Sequence, residues 1–233
     1  MLAVADELSA AVAGLAFPSP VAFVYNPLEY ARACHRLYLE RYAAPGRDVM
    51  LLGMNPGPWG MAQTGVPFGE VTAVRDWMGL DAPVARPARE HPARPVDGFR
   101  CRRREVSGKR LWGWARDRFG TPGGFFARFF VANYCPLLFL EESGRNYTPD
   151  HLPVGPRQRL EDACDRALRD TVGWLRPRLV VGVGSFAERR ARVALAGLNV
   201  TIGRIPHPSP ASPQANRDWA GAAEAALRAC GAL

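Results

Sequence analysis

The segment DVMLLGMNPGPWGMAQTGVPFGE, residues 48–70, joins a short apolar run to a long loop rich in glycine and proline. The run at 48–53 is bounded by turn residues and predicts a buried strand. The loop at 53–70 holds five glycines and three prolines. Glycine lets the backbone approach a ligand, and proline stiffens the chain. We therefore interpret the loop as a preset binding loop at the end of a strand, with a purely structural cluster of turns as the alternative.

The rest of the chain alternates predicted strands and helices. Three further apolar runs predict strands, at 128–133, 179–183 and 199–204. The predicted helices lie at 26–43, 70–80, 109–119, 159–175, 186–196 and 218–230, and a short amphipathic helix lies near the N-terminus. Residues 81–108 are predicted to be irregular. This alternation is typical of an α/β fold with a mostly parallel sheet covered by helices on both faces.

The composition is that of a folded globular protein. The chain has 233 residues, of which 48% are hydrophobic, and this length favours a single domain over residues 1–233. Its 23 glycines and 21 prolines are many, but they stay below the share found in disordered chains. Disordered, collagen-like and coiled-coil interpretations are therefore excluded.

The charge of the chain is strongly positive. A formal net charge of +8 favours an anionic partner, either nucleic acid or an acidic membrane. The tract at 81–110 carries nine basic and four acidic residues, a net charge of +5. We interpret this tract either as a phosphate-contacting surface or as a solvated loop. Lys109 is the only lysine of the chain.

The sequence also bounds the compartment and the metal chemistry. Five scattered cysteines without a C-x-x-C pair disfavour a disulfide framework, a zinc ribbon and an iron–sulfur cluster. The uncharged stretch at 8–28 is interrupted by three prolines, which argues against a membrane span. The N-terminus lacks the positive charge of an export signal. We expect a cytoplasmic protein without a bound metal.

A second unusual loop, IPHPSPASPQAN at 205–216, follows the last predicted strand. Its prolines make it rigid and hold the imidazole of His207 in place. Ligands of parallel α/β sheets bind outside the carboxyl ends of the strands, which directs attention to Asn55, Asn133, Gly184 and His207. An imidazole fixed there can donate a hydrogen bond to a developing anion. A histidine without any role is the alternative.

The segment GVGSFA at 182–187 matches the glycine pattern of dinucleotide-binding loops. It lies late in the chain, and the end of the next strand lacks the acidic residue that binds the ribose in dinucleotide-binding folds. We interpret it as a tight strand-to-helix turn, with a nicotinamide or flavin site as the alternative. No Walker A motif, H-E-x-x-H or G-x-S-x-G is present.

Long segments of the chain resemble the single-strand-selective monofunctional uracil-DNA glycosylases. The two loops, GMNPGPWGMAQTGVPFGEV and HPSPASPQAN, resemble the signature segments of that family. Further stretches that resemble it are VYNPLEYA, EVSGKRLWGW, NYCPLLFLEESGRN and LVVGVG, so that the resemblance runs from about residue 24 to residue 219. It implies a three-layer α/β/α sandwich with a short, mostly parallel central sheet.

The resemblance also implies a function. It implies an enzyme that excises uracil, and C5-oxidised uracils such as 5-hydroxymethyluracil, from single-stranded and double-stranded DNA without a metal or cofactor. Nothing in the sequence demands a dimer, so we expect a monomer. Asn55 would hold the attacking water, and His207 would bind uracil O2 and stabilise the anionic leaving base. Asn133 would read the N3–O4 edge of the base, and Phe68 would stack on its face.

The remaining implied roles concern the wall of the pocket and the DNA. Gly57 and Met61 would shape the wall near C5 of the base. The wedge, defined here as residues 208–214, would enter the DNA and fill the space of the flipped base; its members are Pro208, Ser209, Pro210, Ala211, Ser212, Pro213 and Gln214. The family pattern carries a basic residue where this chain has Ala211, so we expect weaker activity on paired duplex. A non-catalytic nucleic-acid-binding protein of the same fold is the alternative.

Overall fold

The computed structural model describes residues 1–233, except for the side chains of Pro213 and Gln214. Its strands are β1 (Phe23–Tyr25), β2 (Val49–Gly53), β3 (Phe129–Asn133), β4 (Leu138–Leu140), β5 (Asn146–Tyr147), β6 (Leu179–Val183) and β7 (Thr201–Ile205). Its α-helices are α1 (Leu2–Ala13), α2 (Pro27–Tyr30), α3 (Arg32–Tyr42), α4 (Met61–Thr64), α5 (Val106–Phe119), α6 (Pro122–Phe126), α7 (Val154–Leu175), α8 (Ser185–Ala194) and α9 (Pro213–Ala229).

The central sheet has four parallel strands in the order β3-β2-β6-β7. Leu51 of β2 lies opposite Val131 of β3 and Val181 of β6. All residues of β2 and β6 are buried, as expected for the inner strands of a sheet covered on both faces. The four strands predicted from apolar runs are therefore confirmed, the last one shifted to begin at Thr201.

Helices cover the two faces of this sheet. A Cβ on Gly182 would overlap the backbone of Glu188 in α8, whereas a Cβ on Gly203 would lie 3.1 Å from Cβ of Cys230, just beyond α9. Because side chains alternate between the faces of a strand and Gly203 lies opposite Val181, α8 and α9 occupy opposite faces. The chain thus forms the three-layer α/β/α sandwich that the resemblance implies.

A second, antiparallel sheet was not predicted from the sequence. Strand β4 pairs with β1 and with β5, and Phe23 lies opposite Leu140. The strands have only two or three residues, too few for a periodic pattern, and the pairing of β1 with β4 joins segments more than a hundred positions apart. Local sequence does not reveal such pairing.

Several predicted helix boundaries are corrected by the structure. The helix predicted at 26–43 is broken at Ala31, where φ is −105° and ψ is 21°. A Cβ on Gly65 would come within 2.8 Å of the Ala31 carbonyl oxygen, so the loop after β2 packs directly against this break. Asn26 caps α2 as expected, since its Oδ1 accepts a hydrogen bond from the Leu28 N–H.

Other corrections affect the remaining helices. The helix predicted at 70–80 is a short turn that becomes a π-helix over Ala73–Trp77, in which the Met78 N–H donates to the Ala73 carbonyl. Helices α5 and α7 begin three and five residues before the predicted positions 109 and 159, at Val106 and Val154. The predicted start of the last helix at 218 marks a kink inside α9, where Asp218 has non-helical φ and ψ and its carboxylate accepts from the Gly221 N–H.

Within the part of the chain that the structure describes, no helix combines the length and the apolar character that a membrane crossing requires.

Candidate active site

A pocket of about 460 Å³ lies where the central strands end. Asn133 is the last residue of β3, Asn55 follows β2, and His207 follows β7. The pocket brings together eight residues singled out from the sequence: Asn55, Gly57, Phe68, Asn133, His207, Ser209, Ala211 and Ser212. The pocket therefore lies at the carboxyl ends of the parallel strands, where the general rule for ligand binding predicts it.

Asn55 is oriented by the backbone of the segment after β3. Its Nδ2 donates a hydrogen bond to the Leu137 carbonyl at 3.2 Å. This contact fixes the amide plane and assigns the oxygen to the other side. Among the residues that the structure describes, no group donates to Oδ1. Asn55 therefore offers an acceptor to a ligand in the pocket, and Leu137 is a partner that the sequence did not reveal.

The imidazole of His207 is a neutral donor. Its Nδ1 accepts a hydrogen bond from the Ser209 N–H at 3.1 Å, which places the remaining proton on Nε2. Burial lowers the pKa of His207 below its usual value, because desolvation disfavours the charged ring. At neutral pH the ring is therefore uncharged and can donate one hydrogen bond through Nε2–H.

The loop that carries His207 is held on both sides of the ring. The Trp219 indole N–H donates to the Pro206 carbonyl at 2.8 Å, and Arg110 donates to the Pro208 carbonyl at 2.8 Å. Behind the ring, Gly184 has a φ of +90°, and a Cβ there would lie 3.2 Å from His207 Cβ. The glycine at the end of the GVGSFA turn thus makes room for the histidine.

Phe68 is held in a conformation that few side chains adopt. Its φ is +55°, in the left-handed region. The Phe68 carbonyl accepts from the Trp112 indole N–H at 3.1 Å and lies so close to Gly108 that a Cβ there would overlap it. A Cβ on Gly53 would meet the ring of Phe68 at 2.6 Å, so the ring lies directly on the end of β2. Strain of this kind persists where the surroundings fix it.

Asn133 presents an unsatisfied polar atom. Its Oδ1 is buried without a hydrogen-bond partner among the described residues, while its Nδ2 lies 3.3 Å from the sulfur of Met61. Met61 is buried behind Asn133 and packs against it. The next residue, Tyr134, anchors this segment because its hydroxyl donates to Asp165 at 2.6 Å. A buried amide oxygen without a partner is consistent with a ligand-binding role.

Near Gly57 the structure adds a residue that the sequence did not single out. A Cβ on Gly57 would overlap Oε2 of Glu105, so the space left by the missing side chain is occupied by a carboxylate. The Trp59 N–H donates to the same oxygen at 3.4 Å. Glu105 stands in the quoted segment EVSGKRLWGW, but a single acid between arginines and a helix gives no signal of contact with a distant loop.

The wedge forms one rim of the pocket. Ser209 and Ser212 are half-buried, Pro210 and Ala211 are exposed, and Pro208 is buried beneath them. Residues from 213 onward belong to α9, so the irregular loop is shorter than expected. The backbone of Pro213 and Gln214 starts this helix, but their side chains, for which a DNA contact was predicted, lie outside the described residues.

The basic tract is partly used inside the protein. Arg110 holds the wedge, since it also donates to Asn216 Oδ1 at 3.1 Å. Arg94 and Arg103 lie over the ring of Trp59, with distances of 5.3 and 5.0 Å from their guanidinium carbons to the ring centroid. Arg86 is exposed but pairs with Glu90 at 2.9 Å, and exposed Arg89 lies over the ring of Phe23. The remaining basic residues of the tract are exposed: Arg100, Arg102, Arg104 and Lys109. Part of the tract is therefore engaged within the protein, and phosphate contact by its exposed residues stays a prediction.

The GVGSFA segment is a strand-to-helix turn, as expected. Gly182 makes room for the backbone of Glu188, and Gly184 makes room for His207. Both glycines therefore serve contacts inside the protein. Among the described side chains, no group of three or more His, Cys, Asp or Glu is placed to hold a metal ion.

Comparisons with known proteins identify the family of the chain. A model of the uracil DNA glycosylase superfamily matches residues 40–228. The single-strand selective monofunctional uracil DNA glycosylase of Mus musculus is 54% identical over 229 residues, which are 97% of this chain and 82% of the mouse protein. The protein of the same name from Bos taurus is 54% identical over 221 residues, which are 94% of this chain and 81% of the bovine one.

A solved structure supports the fold. The crystal structure of wild-type Pedobacter heparinus SMUG2 matches with a TM-score of 0.65 at 16% sequence identity and covers 97% of this chain and 96% of its own. The chain therefore belongs to the uracil DNA glycosylase superfamily and, within it, to the family of single-strand selective monofunctional uracil-DNA glycosylases. It is accordingly an enzyme, a hydrolase of the DNA glycosylase class.

Proposed function

We propose that the protein excises uracil and C5-oxidised uracils, such as 5-hydroxymethyluracil, from DNA and leaves an abasic site. The observation that supports this proposal best is the pairing of two groups in one pocket, the neutral Nε2–H donor of His207 and the unengaged Oδ1 acceptor of Asn55. The enzyme would act as a single-domain monomer in the cytoplasm, with no metal or cofactor.

The role of His207 follows from the charge that develops during cleavage. Breaking the bond between sugar and base leaves positive charge on the sugar and negative charge on uracil. A preset donor aimed at O2 of the base stabilises this transition state more than the ground state. A neutral imidazole is suited to the task because the burial that keeps it uncharged also strengthens its hydrogen bond. Loss of one such donor is expected to lower the rate by roughly 10²- to 10³-fold.

Asn55 would position the water. Its Nδ2 is engaged by the Leu137 carbonyl, so the orientation of the amide is set before the water arrives. A neutral amide is a weak base, but it accepts a hydrogen bond from water and aims the oxygen at the cationic sugar. A carboxylate at this place would be the stronger base, so we expect modest turnover.

Asn133 and Phe68 would recognise the base. An amide offers both a donor and an acceptor, which match O4 and N3–H of uracil and mismatch the reversed pattern of cytosine. The orphaned Oδ1 of Asn133 gains a partner when N3–H arrives. Phe68, fixed on Gly53 by its unusual backbone, would stack on the ring. Met61 supports Asn133 from behind, and the absence of a side chain at Gly57 leaves the wall near C5 to the Glu105 carboxylate.

The DNA would reach this pocket by base flipping. A base inside a duplex must leave the stack at a cost of a few kcal/mol, and this cost is smallest in single strands. The wedge would fill the vacated space, although exposed Ala211 offers no long cationic side chain for the duplex. The exposed arginines of the basic tract would contact phosphates. We therefore expect single-stranded DNA to be the better substrate.

Monofunctional action fits the distribution of amines. A glycosylase with lyase activity uses an amine nucleophile, and Lys109, the only lysine, is exposed and does not line the pocket. The enzyme would therefore release the base and leave the strand intact.

The test is a strand-cleavage assay on oligonucleotides with a single uracil, 5-hydroxymethyluracil, hypoxanthine or thymine, each in single-stranded and double-stranded form. The proposal predicts cleavage at the two uracil derivatives only after alkali, and loss of that cleavage in Asn55→Ala. Release of no base from any substrate, together with tight DNA binding, would favour the non-catalytic alternative. Cleavage without alkali would contradict monofunctional action.

A further inference from the structure

Glu105 is a half-buried acid that lines the pocket. It precedes α5 and lines the same pocket as Asn55 and His207. Its side chain packs against two glycines of the loop after β2: a Cβ on Gly57 would overlap Oε2, and a Cβ on Gly60 would lie 2.9 Å from Cγ. The carboxylate therefore stands where a residue larger than glycine at position 57 would place its side chain.

The charge of Glu105 is not neutralised by a neighbour. Within the described part of the chain it makes no ion pair. The guanidinium of Arg103 lies over the ring of Trp59, and Arg104 is exposed. Burial raises the pKa of the Glu105 carboxyl, while the backbone N–H groups of Trp59 and Ser107 favour the ionised form. Glu105 is the only acidic side chain among the described residues that line the pocket.

We propose that Glu105 reads the substituent at C5 of the bound base, accepting a hydrogen bond from the hydroxyl of 5-hydroxymethyluracil and repelling an anionic C5 carboxyl group. This inference rests on the proposed function, which places C5 of the base beside Gly57. The absence of a side chain at Gly57 is what lets the carboxylate reach that space. Gly57 and Glu105 thus form one recognition element, in which the glycine leaves a space and the carboxylate acceptor fills it.

The physical basis is the strength of hydrogen bonds to charged groups. A hydroxyl that donates to a carboxylate makes a bond about twice as strong as one between neutral partners. Each carboxylate oxygen has two lone pairs, so the contact with the Trp59 N–H leaves capacity for a ligand hydroxyl. Two carboxylates in a partly desolvated pocket repel each other, which disfavours 5-carboxyluracil.

The decisive variant is Glu105→Gln. It keeps the shape of the side chain and an oxygen that accepts from the Trp59 N–H, and it removes the charge. Single-turnover rates are measured on single-stranded oligonucleotides that carry uracil, 5-hydroxymethyluracil or 5-carboxyluracil. We expect the rate ratio of 5-hydroxymethyluracil to uracil to fall about tenfold and the ratio of 5-carboxyluracil to uracil to rise about tenfold.

Glu40→Gln is the matched control. Glu40 lies in α3, is half exposed and does not line the pocket, so this variant changes the net charge equally. Both ratios should keep their wild-type values in it. If Glu105→Gln does not fold, Glu105→Asp keeps the charge and shortens the side chain by one methylene. In that variant we expect the rate ratio of 5-hydroxymethyluracil to uracil to fall and the ratio of 5-carboxyluracil to uracil to stay low.

The outcomes separate this inference from the proposed function. If Glu105→Gln lowers the rates on all three bases by the same factor, or leaves both ratios unchanged, Glu105 does not read C5 and the inference is wrong. If the wild-type enzyme releases no uracil at all, the proposed function fails first. An active enzyme with unaltered ratios contradicts only the inference.

Discussion

Replacing Gly184 by alanine should slow base release without weakening DNA binding. Gly184 has a φ of +90° and a ψ of 168°, a region that is almost exclusive to glycine. The added Cβ would lie 3.2 Å from Cβ and 3.4 Å from Cδ2 of His207, closer than most real contacts. The imidazole must therefore move by a few tenths of an ångström.

The expected size of the effect follows from the role of the imidazole. Loss of the whole donor costs roughly 10²- to 10³-fold in rate, and a misplacement of about 1 Å can cost about 10²-fold. A shift of a few tenths of an ångström should then lower the single-turnover rate by roughly 3- to 10-fold. The backbone strain should lower the free energy of unfolding by about 1–3 kcal/mol.

Gly197→Ala is the control for strain alone. Gly197 has a φ of +83°, but a Cβ there would meet no atom within 4 Å. Uracil release from a single-stranded oligonucleotide at saturating enzyme gives the rate, fluorescence anisotropy gives the affinity, and urea unfolding gives the stability. Both variants should lose stability, and only Gly184→Ala should lose rate. Equal rates in the two variants would refute the argument that Gly184 makes room for His207.

Three further predictions concern the wedge, its support and pH. Ala211→Arg should raise the ratio of duplex to single-strand activity, because it restores a long cation at an exposed position of the rim; an unchanged ratio in the strand-cleavage assay would contradict this. Arg110→Met should lower the rate of base release on single-stranded and on duplex DNA, because the Pro208 carbonyl loses its hydrogen-bond donor. Wild-type rates in this variant would contradict the claim that Arg110 holds the wedge. Burial lowers the pKa of His35 and of His207, so the unfolded chain binds more protons below about pH 6.5 and stability should fall as pH falls from 7.5 to 5.5. Each histidine contributes at most about 1.4 kcal/mol per pH unit to the slope of the unfolding free energy against pH. Urea unfolding of His35→Gln should therefore show a shallower pH dependence of stability than wild type. Parallel curves would contradict the claim that His35 contributes to this dependence.

The elements that position the site could be predicted from the sequence because their signals are local. Apolar runs give the four parallel strands, and the ends of those strands bring Asn55, Asn133 and His207 together by a general rule. Prolines and glycines identify the two loops that carry the first and last of these residues. Each inference needs only the neighbours of a residue along the chain.

The contacts that refine the site could not be predicted, because they join distant segments. Glu105 fills the space beside Gly57, and Gly184 makes room for His207; neither contact leaves a periodic or compositional signal. Leu137 orients Asn55 through its backbone carbonyl alone, so the identity of its side chain gives no signal of this contact in the sequence. The antiparallel sheet was missed for a second reason, because its strands of two or three residues are too short for a pattern.

The measurement that tests the central claim most directly is the release of free uracil from a single-stranded oligonucleotide by the wild-type protein and by His207→Ala, with DNA affinity measured in parallel. We predict that the single-turnover rate falls by roughly 10²- to 10³-fold while the dissociation constant changes by less than about threefold. A rate within tenfold of wild type, or a rate lost only together with DNA binding, would contradict the claim that His207 stabilises the leaving base.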